Sequence, residues 1–381
     1  MTRQIFIRSA DKNDLERLVE IENTCFTTDI LSRRSFQRFI RHGAHDLKVA
    51  ESNNEIVGYT LVLYRTGTGL ARMYSIAVIP AQQGKGIARH LMEAAEQAGR
   101  ERFCAFMRLE VNVNNVPAIH LYKKLGYRHI GMIENYYDDG SDALRMEKRI
   151  YAGLLHKNIV TPYYEQTTDF TCGPAALMMA MKILDPDYEM IRQEELQIWR
   201  EATTIFMTSG HGGCSPHGLA LSAWQRGYQV ELYINQPGTP FLDGVRDPDK
   251  KAVIELVHQD FLTRIKDTDI QLHVEDFSPD KLMDSLRSEN AIIALISTYR
   301  LNRNKAPHWV FVASADEHFV YVNDPDISDG AWQSETDYIQ VPISIPEFIN
   351  MSCFGQSRLR CLLILDKSNI VKKPAPQLAG K

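Results

Sequence analysis

The sequence contains few cysteines, no long hydrophobic run and no export signal. Its six cysteines are scattered over 381 residues, which predicts reduced thiols and not a disulfide framework. No apolar stretch approaches the roughly 20 residues that a membrane helix needs, and the first residues lack an apolar core with a cleavage site. These absences predict a cytoplasmic globular protein that has no membrane partner.

Strong charge is absent as well. The net charge is −5, although residues 1–150 carry 22 basic and 18 acidic side chains while the remainder carries 21 and 30. The basic cluster SRRSFQRFIRH at 32–42 either favours an anionic cofactor or partner, or forms a solvated helix face. Nucleic-acid modules are more basic and carry stacking aromatics, so we expect no nucleic-acid partner.

The length and the pattern of elements predict two domains. Helices and strands alternate through residues 1–150, as expected for an α/β (α+β) domain with a mixed or mostly antiparallel sheet. We expect a linker at 151–158 and a second domain at 159–366 that ends in strand-rich sequence. The segment 367–381 lacks apolar periodicity and is expected to be a flexible tail.

A glycine-containing turn joins a strand to a helix in SIAVIPAQQGKGIARHLMEAA. Such a turn lets backbone N–H groups converge where the helix dipole is positive, which suits a pyrophosphate. A plain strand–helix connection would look similar, and the Rossmann and Walker patterns are both absent.

The residues from Gln83 to Ala88 resemble the signature of the Gcn5-related N-acetyltransferases. RLEVNVNNVPAIHLYKKLGY and ENYYDDGSDALRMEK resemble later motifs of the ribosomal-protein-alanine (N-terminal) acetyltransferases in that family. The resemblance implies an acetyltransferase domain that uses acetyl-CoA and acts on a peptide or protein amine. It implies cofactor binding by Ile76, Ala77, Val78, Gln83, Gly84, Lys85, Gly86, Ile87, Ala88, Asn115 and Tyr122.

The same resemblance assigns roles to individual side chains. Tyr122 would protonate the departing CoA thiolate, Glu110 would accept the proton of the attacking ammonium, and Tyr137 would line the peptide entrance. Tyr122 could instead only pack on the sheet, and Glu110 could be a surface strand residue. TDILSRRSF departs from the Pro-Trp-Ser-type sequence of the alanine acetyltransferases, which leaves the acceptor unidentified.

A second reactive set begins at Cys172 in EQTTDFTCGPAALMMAM. Asp169 and Thr171 can cap a helix here and Pro174 suits its first turn, so the thiol is expected at a helix N-terminus, where its pKa falls. A buried structural cysteine would have a similar local sequence. His308 opens one predicted strand and Asp324 ends the next, so these two can supply a base and its orienting carboxylate.

Gln166 lies six residues before Cys172 and can donate its amide to an oxyanion. Tyr-x-Gln, Cys-Gly-Pro-Ala-Ala, His-Trp-Val and Asn-Asp-Pro resemble motifs of the papain-like peptidases that cleave bacteriocin leader peptides, often after double glycine. The resemblance implies a papain-like fold with Cys172, His308 and Asp324 as the triad. The fusion also resembles a bacterial two-domain arrangement whose relatives are associated with peptides made or tagged by ATP-grasp ligases.

The segment SGHGGCSPHG contains His211, Cys214 and His217, which suggest metal ligands or a substrate-cleft loop. No fourth ligand has suitable spacing, so we favour the loop, expect no metal, and place His217 at a helix start. The chain is therefore interpreted as a bifunctional enzyme, an N-acetyltransferase with a cysteine peptidase domain. The alternative is an acetyltransferase whose peptidase-like domain is a non-catalytic peptide-binding module.

Overall fold

A computed structural model of the chain describes residues 5–41, 43–151, 161–203, 212–242, 245, 247–299, 306–327 and 337–366. The chain divides into two units, Met1–Leu154 and Leu155–Lys381. Nearly all of the predicted linker at 151–158 and the whole predicted tail at 367–381 lie outside the described residues. Each unit is built around its own seven-stranded sheet.

The first unit alternates strands with four helices. Its strands are β1 (Ile5–Ser9), β2 (His45–Ser52), β3 (Glu55–Tyr64), β4 (Leu70–Val78), β5 (Phe106–Asn112), β6 (Arg128–Ile133) and β7 (Ala143–Arg149). Its helices are α1 (Leu15–Cys25), α2 (Arg33–Phe39), α3 (Ile87–Glu101) and α4 (Val116–Lys124). The sheet order is β1-β2-β3-β4-β5-β7-β6, and only β4 and β5 are parallel, which confirms the predicted mixed sheet.

The parallel pairing of β4 with β5 covers only three residue pairs, from Leu70–Phe106 to Arg72–Arg108. Beyond them β4 continues to pair with β3, and β5 continues to pair with β7, so a gap opens between the two strands. α3 follows β4 and α4 follows β5, so both helices begin at the carboxyl ends of the parallel strands. Ligands of α/β sheets commonly bind at such a position.

The second unit forms a sheet in the order β13-β12-β11-β10-β14-β8-β9, with β8 and β9 as its single parallel pair among the described strands. Its strands are β8 (Gln229–Ile234), β9 (Gln271–His273), β10 (Ala291–Ser297), β11 (Pro307–Ala315), β12 (Phe319–Asn323), β13 (Val341–Ser344) and β14 (Cys361–Asp366). Its helices are α5 (Cys172–Leu184), α6 (Arg192–Ala202), α7 (Pro216–Gln225), α8 (Pro248–Lys266), α9 (Pro279–Arg287) and α10 (Ile345–Met351). The strand-rich ending that the sequence predicts is present.

α5 is buried on almost every side, and all of its residues except Lys182 and Ile183 are buried. Such a helix shows no amphipathic period, and its small and flexible residues let it pack centrally in the apolar core. The predicted cap is wrong in detail. Thr171 occupies the N-cap position, but its side chain accepts no hydrogen bond from the first N–H groups of the helix, and its hydroxyl donates to Glu195 on α6.

Candidate active sites

The glycine turn of the first unit has the backbone that the sequence predicts. Gly84 and Gly86 have φ of 75° and 80°, the left-handed region that side chains disfavour. A Cβ on Gly84 would meet no atom within 4 Å, so the turn is open on that side. α3 then begins at Ile87 without a side-chain cap, which leaves its first N–H groups available to a ligand. This open main-chain cradle fits the pyrophosphate of acetyl-CoA.

Side chains of the turn serve mainly to hold it. The Gln83 amide donates to the carbonyl oxygen of Val78 at 3.0 Å, tying the turn to the end of β4. The Lys85 ammonium donates to Ala81 O at 2.8 Å and to Gln82 Oε1 at 2.9 Å, so it folds over its own turn. Ala77, Val78 and Ile87 have buried side chains, while Ile76 and Ala88 are half-buried. The buried members of the predicted cofactor set can therefore contribute only main-chain groups.

The predicted proton donor and acceptor of the first unit are both buried. Tyr122 lies on α4 in the apolar core beside Tyr127, with ring centroids 5.9 Å apart. Burial raises the pKa of the Tyr122 phenol, which therefore keeps its proton at neutral pH. Glu110 lies on β5 just beyond the pairing with β4, and its side chain is only 4% exposed. The interpretation of Glu110 as a surface strand residue is therefore wrong.

Glu110 is held by Arg72, a residue that the sequence reading missed. The Arg72 guanidinium donates to Glu110 Oε2 from Nε at 2.9 Å and from Nη2 at 2.8 Å. Its Nη2 also donates to the hydroxyl of Tyr136 at 2.8 Å. Arg72 and Glu110 lie on neighbouring strands, but no local motif indicates their pairing. Only the register of β4 against β5 brings them together.

Asn115 and Tyr137 lie at the two ends of this region. Asn115 is the N-cap of α4, and its Oδ1 accepts from Ala118 N at 3.2 Å. It therefore has a structural role besides the predicted cofactor contact. Tyr137 packs edge-on against Tyr136 with centroids 5.0 Å apart, and burial raises the pKa of its phenol. The loop that carries it also donates from Asp138 N to Asp29, in the α1–α2 connection.

In the second unit the predicted triad comes together. His308 Nε2 lies 2.7 Å from Asp324 Oδ1, and Cys172 at the start of α5 acts electrostatically on His308, contributing to its raised pKa. Because Nε2 faces the carboxylate, Nδ1 is the ring nitrogen available to Cys172. All three residues are buried, with 4–8% of their surface exposed. β11 and β12 are adjacent and antiparallel, as expected from the short turn between them.

The protonated form of His308 is stabilised in this site. Burial disfavours the charged imidazolium, yet the charge and hydrogen bond of Asp324, together with Cys172, hold the pKa of His308 well above its ordinary value. His308 and Asp324 therefore form a buried, hydrogen-bonded pair in which the imidazole holds its proton.

Gln166 lies beside the triad strands. Its backbone N donates to Pro325 O at 2.9 Å and its Nε2 donates to Asp326 Oδ1 at 3.3 Å. Asp326 N in turn donates to Asp324 Oδ1 at 3.1 Å. The structure thus connects the predicted oxyanion donor to the triad carboxylate through two successive hydrogen bonds.

The glycine-rich segment near Cys214 is only partly described. His211 lies outside the described residues, whereas Cys214 is buried beneath the start of α5 and His217 is the second residue of α7. Burial and the neighbouring His258 ring, 4.7 Å away, lower the pKa of His217 to about 3. Among the described residues, no group of three or more His, Cys, Asp or Glu side chains is arranged to hold a metal ion.

Comparison with known proteins assigns each of the two units to a protein family. Residues 161–366 match the Peptidase C39 like family and residues 15–127 match the Acetyltransferase (GNAT) family. An N-alpha-acetyltransferase of Sulfurisphaera tokodaii is 31% identical over 151 residues, which cover 37% of this chain and 90% of that protein. The chain belongs to both families. Its first unit is a GNAT N-acetyltransferase domain, and its second is a Peptidase C39-like domain, as the resemblances predict.

Two further relatives resemble the GNAT domain. A putative [ribosomal protein bS18]-alanine N-acetyltransferase of Bacillus subtilis is 29% identical over 147 residues, covering 38% of this chain and 96% of that protein. The crystal structure of the ribosomal-protein-S18-alanine N-acetyltransferase from Escherichia coli is 26% identical, covers 41% of this chain and 99% of that chain, and gives a TM-score of 0.36. GNAT acetyltransferases use acetyl-CoA, so the cofactor prediction is confirmed.

The described helices bear on the expected absence of a membrane span. None of them combines the length and the apolar character that crossing a bilayer requires.

Proposed function

We propose that the chain is a bifunctional enzyme that handles peptides. The GNAT domain acetylates a peptide or protein amine, and the C39-like domain cleaves an amide with Cys172, His308 and Asp324. The observation that supports the second activity is the buried His308–Asp324 hydrogen bond, with Cys172 at the N-terminus of α5 acting electrostatically on His308. The names of the relatives, which include N-alpha and ribosomal-protein-alanine acetyltransferases, support a peptide amine as acceptor.

In the GNAT domain, acetyl-CoA supplies the acetyl group, and the turn at 83–88 would hold its pyrophosphate through main-chain N–H groups. Tyr122 carries a phenolic proton at Oη, and we assign it as the general acid that protonates the departing CoA thiolate. Glu110 is suited to receive the proton of the acceptor ammonium, with Arg72 fixing the position of the carboxylate.

In the C39-like domain, the Cys172 thiolate attacks the scissile carbonyl while His308 keeps a proton for the departing amine. Asp324 orients the ring through Nε2, and Gln166 donates to the developing oxyanion after leaving Asp326. One site would expose an amine and the other acetylates amines, so the fusion suggests consecutive use of the two sites. Peptides made or tagged by an ATP-grasp ligase are one class of candidate substrate.

The test is to incubate the full chain with acetyl-CoA and an extract of its host, and to map new acetylated amines and new cleavage ends by mass spectrometry. Wild type is compared with Cys172→Ala and Tyr122→Phe. New ends that vanish only in Cys172→Ala support the cysteine peptidase. If no end depends on Cys172, and iodoacetamide alkylates it no faster than the partly exposed Cys25 and Cys353, the C39-like domain is a binding module. Equal acetylation of cleaved and uncleaved substrate would exclude consecutive use.

A further inference from the structure

A fully buried carboxylate lies behind the Cys172 site. Glu195, in the first turns of α6, is 0% exposed and accepts four hydrogen bonds. Its Oε1 accepts from Thr167 N at 2.8 Å and from the Thr171 hydroxyl at 2.5 Å. Its Oε2 accepts from the hydroxyls of Thr167 at 2.7 Å and Tyr164 at 3.0 Å. All four donors belong to the segment 164–171, which ends directly before Cys172.

No lysine, arginine or histidine forms an ion pair with Glu195 in the part of the chain that the structure describes. A buried carboxylate without a counter-ion is costly, and hydrogen bonds must replace the water it loses. A carboxylate is nevertheless well suited to this place, because its two oxygens can accept several hydrogen bonds at once. The four bonds fix an irregular segment that has no ladder partners of its own.

The opposite side of this segment contacts the triad strands. The Tyr163 hydroxyl donates to Asp324 O at 3.1 Å, and Gln166 N donates to Pro325 O at 2.9 Å. The segment is therefore held between Glu195 on one side and the Asp324–Asp326 turn on the other. Gln166 lies between two residues that Glu195 binds, Tyr164 and Thr167, so movement of the segment would displace its amide relative to Cys172.

We propose that Glu195 is a positioning residue of the Cys172 site. It fixes the segment 164–171 so that Gln166 and the N-terminus of α5 keep their places around the reacting carbonyl. The inference rests on the proposed cysteine chemistry. It assigns Glu195 to the stabilisation of the oxyanion through Gln166, and not to the formation of the thiolate, which depends on His308.

Two reactions of the same thiol separate these effects. Acylation by p-nitrophenyl acetate proceeds when the thiolate adds to the ester carbonyl, giving a tetrahedral oxyanion that collapses with release of p-nitrophenolate and leaves a thioester. Alkylation by iodoacetamide displaces iodide directly and forms no oxyanion. A misplaced Gln166 should therefore slow acylation and leave alkylation nearly unchanged.

The experiment uses the full chain and compares Glu195→Ala, Glu195→Gln and the matched control Glu201→Ala. Glu201 lies on the same helix, but it accepts hydrogen bonds from Ser222 and Arg226 instead of the segment. Rates of acylation and alkylation are measured separately, with the modified residue identified as Cys172 by mass spectrometry. Gln166→Ala defines the full loss of the oxyanion donor, expected to be about 10²-fold in acylation.

We expect Glu195→Ala to slow acylation by about tenfold or more while alkylation changes by less than about threefold. Glu195→Gln should regain most of the acylation rate, because an amide oxygen keeps two of the bonds and the hydroxyls can turn to accept from its NH₂. Glu201→Ala should leave both rates unchanged. Thr171→Val and Thr167→Val each remove one hydroxyl donor to Glu195 and should give smaller losses in acylation. They replace Glu195→Ala in the test if that variant does not fold.

The outcomes are distinguishable. If wild-type Cys172 reacts no faster than Cys353, the cysteine chemistry fails and the inference fails with it. If wild type is reactive but Glu195→Ala acylates at the wild-type rate, the inference alone is overturned. Equal loss of acylation and alkylation would also overturn it, because that result indicates general loosening of the site.

Discussion

The two domains build their sites in opposite ways. In the GNAT domain, the proposed cofactor cradle is contiguous main chain, formed by Gly84, Gly86 and the first turn of α3. In the C39-like domain, the site is made of side chains that lie more than 130 residues apart, on α5 and on the β11–β12 hairpin. A contiguous cradle needs only a correct turn, whereas the triad needs the register of a whole sheet.

The two sites nevertheless share one structural feature, an uncapped helix N-terminus. α3 and α5 both start without a side-chain cap, whereas α4, α7 and α9 are capped by Asn115, Ser215 and Ser278. Uncapped N–H groups at a helix start attract negative charge. In α3 that charge would belong to a phosphate, and in α5 to the thiolate of Cys172. Other helices of the chain also lack a side-chain cap, so an uncapped helix start indicates a site only together with the residues around it.

The strongest way to separate the two sites is to remove one reactive group from each. Cys172→Ala should abolish Cys172-dependent cleavage and preserve acetylation, while Tyr122→Phe should lower acetylation by about 10²-fold and preserve cleavage. Acetylation is followed by release of free CoA, and cleavage by new peptide ends. A substitution that lowered both activities would contradict the assignment of one reaction to each site.

A change of the cradle should affect only cofactor binding. Gly86→Ala places a side chain at φ of 80°, which costs about 1–2 kcal/mol and should weaken CoA binding about tenfold if the strain opposes the bound turn. Isothermal titration calorimetry with CoA measures the effect. Gly238→Ala is the control, because its Cβ would meet no atom within 4 Å and its φ lies outside the left-handed region. Equal affinities of the two variants would exclude the cradle.

The His308–Asp324 pair should make stability fall with rising pH. The pKa of His308 is raised in the folded state, so its contribution is complete below the unfolded pKa of about 6.5 and is lost as pH rises through the folded pKa. Asp324→Asn should remove most of this dependence and slow alkylation of Cys172 near pH 6 about tenfold. Denaturant titrations between pH 6 and pH 9 measure how the free energy of unfolding depends on pH in wild type and in Asp324→Asn. The same dependence in both proteins would contradict the prediction.

The last expected effect is an acid sensitivity confined to the C39-like domain. Burial, with His258 nearby, lowers the pKa of His217 to about 3, so its contribution to stability is complete above pH about 6.5 and is lost as pH falls from there. One proton gives at most about 1.4 kcal/mol per pH unit. His217→Gln should reduce the change in the free energy of unfolding with pH. Hydrogen exchange measured from pH 7 to pH 5 should show the loss of stability as faster opening of α7 and α8. An equal increase in the opening of β2 and β3 would refute the prediction.

Features that depend on neighbouring residues were predictable, and those that depend on tertiary register were not. The turn at 83–88 and the start of α5 follow from adjacent residues, and the positions of His308 and Asp324 follow from a short hairpin. Arg72 was missed because its partner Glu110 lies on a strand reached through α3.

The failed cap at Thr171 has the same cause. Its hydroxyl lies within hydrogen-bond distance of Thr168 O and of the buried carboxylate of Glu195, which α6 brings within reach, and it caps no helix N–H group. His258 likewise reaches His217 from a helix that begins more than 30 residues later. None of these contacts has a signal at the sequence positions themselves.

The chain order of the proposed triad also sets when its three residues can come together during synthesis. At about 5–20 residues per second, the ribosome needs on the order of ten seconds after Cys172 to add His308 and Asp324. The GNAT domain is already complete in sequence during this interval, while the proposed base of Cys172 and the turn that holds Gln166 are not yet made. In the proposed mechanism, the acetyltransferase domain is therefore synthesised before the second domain can assemble its reactive set.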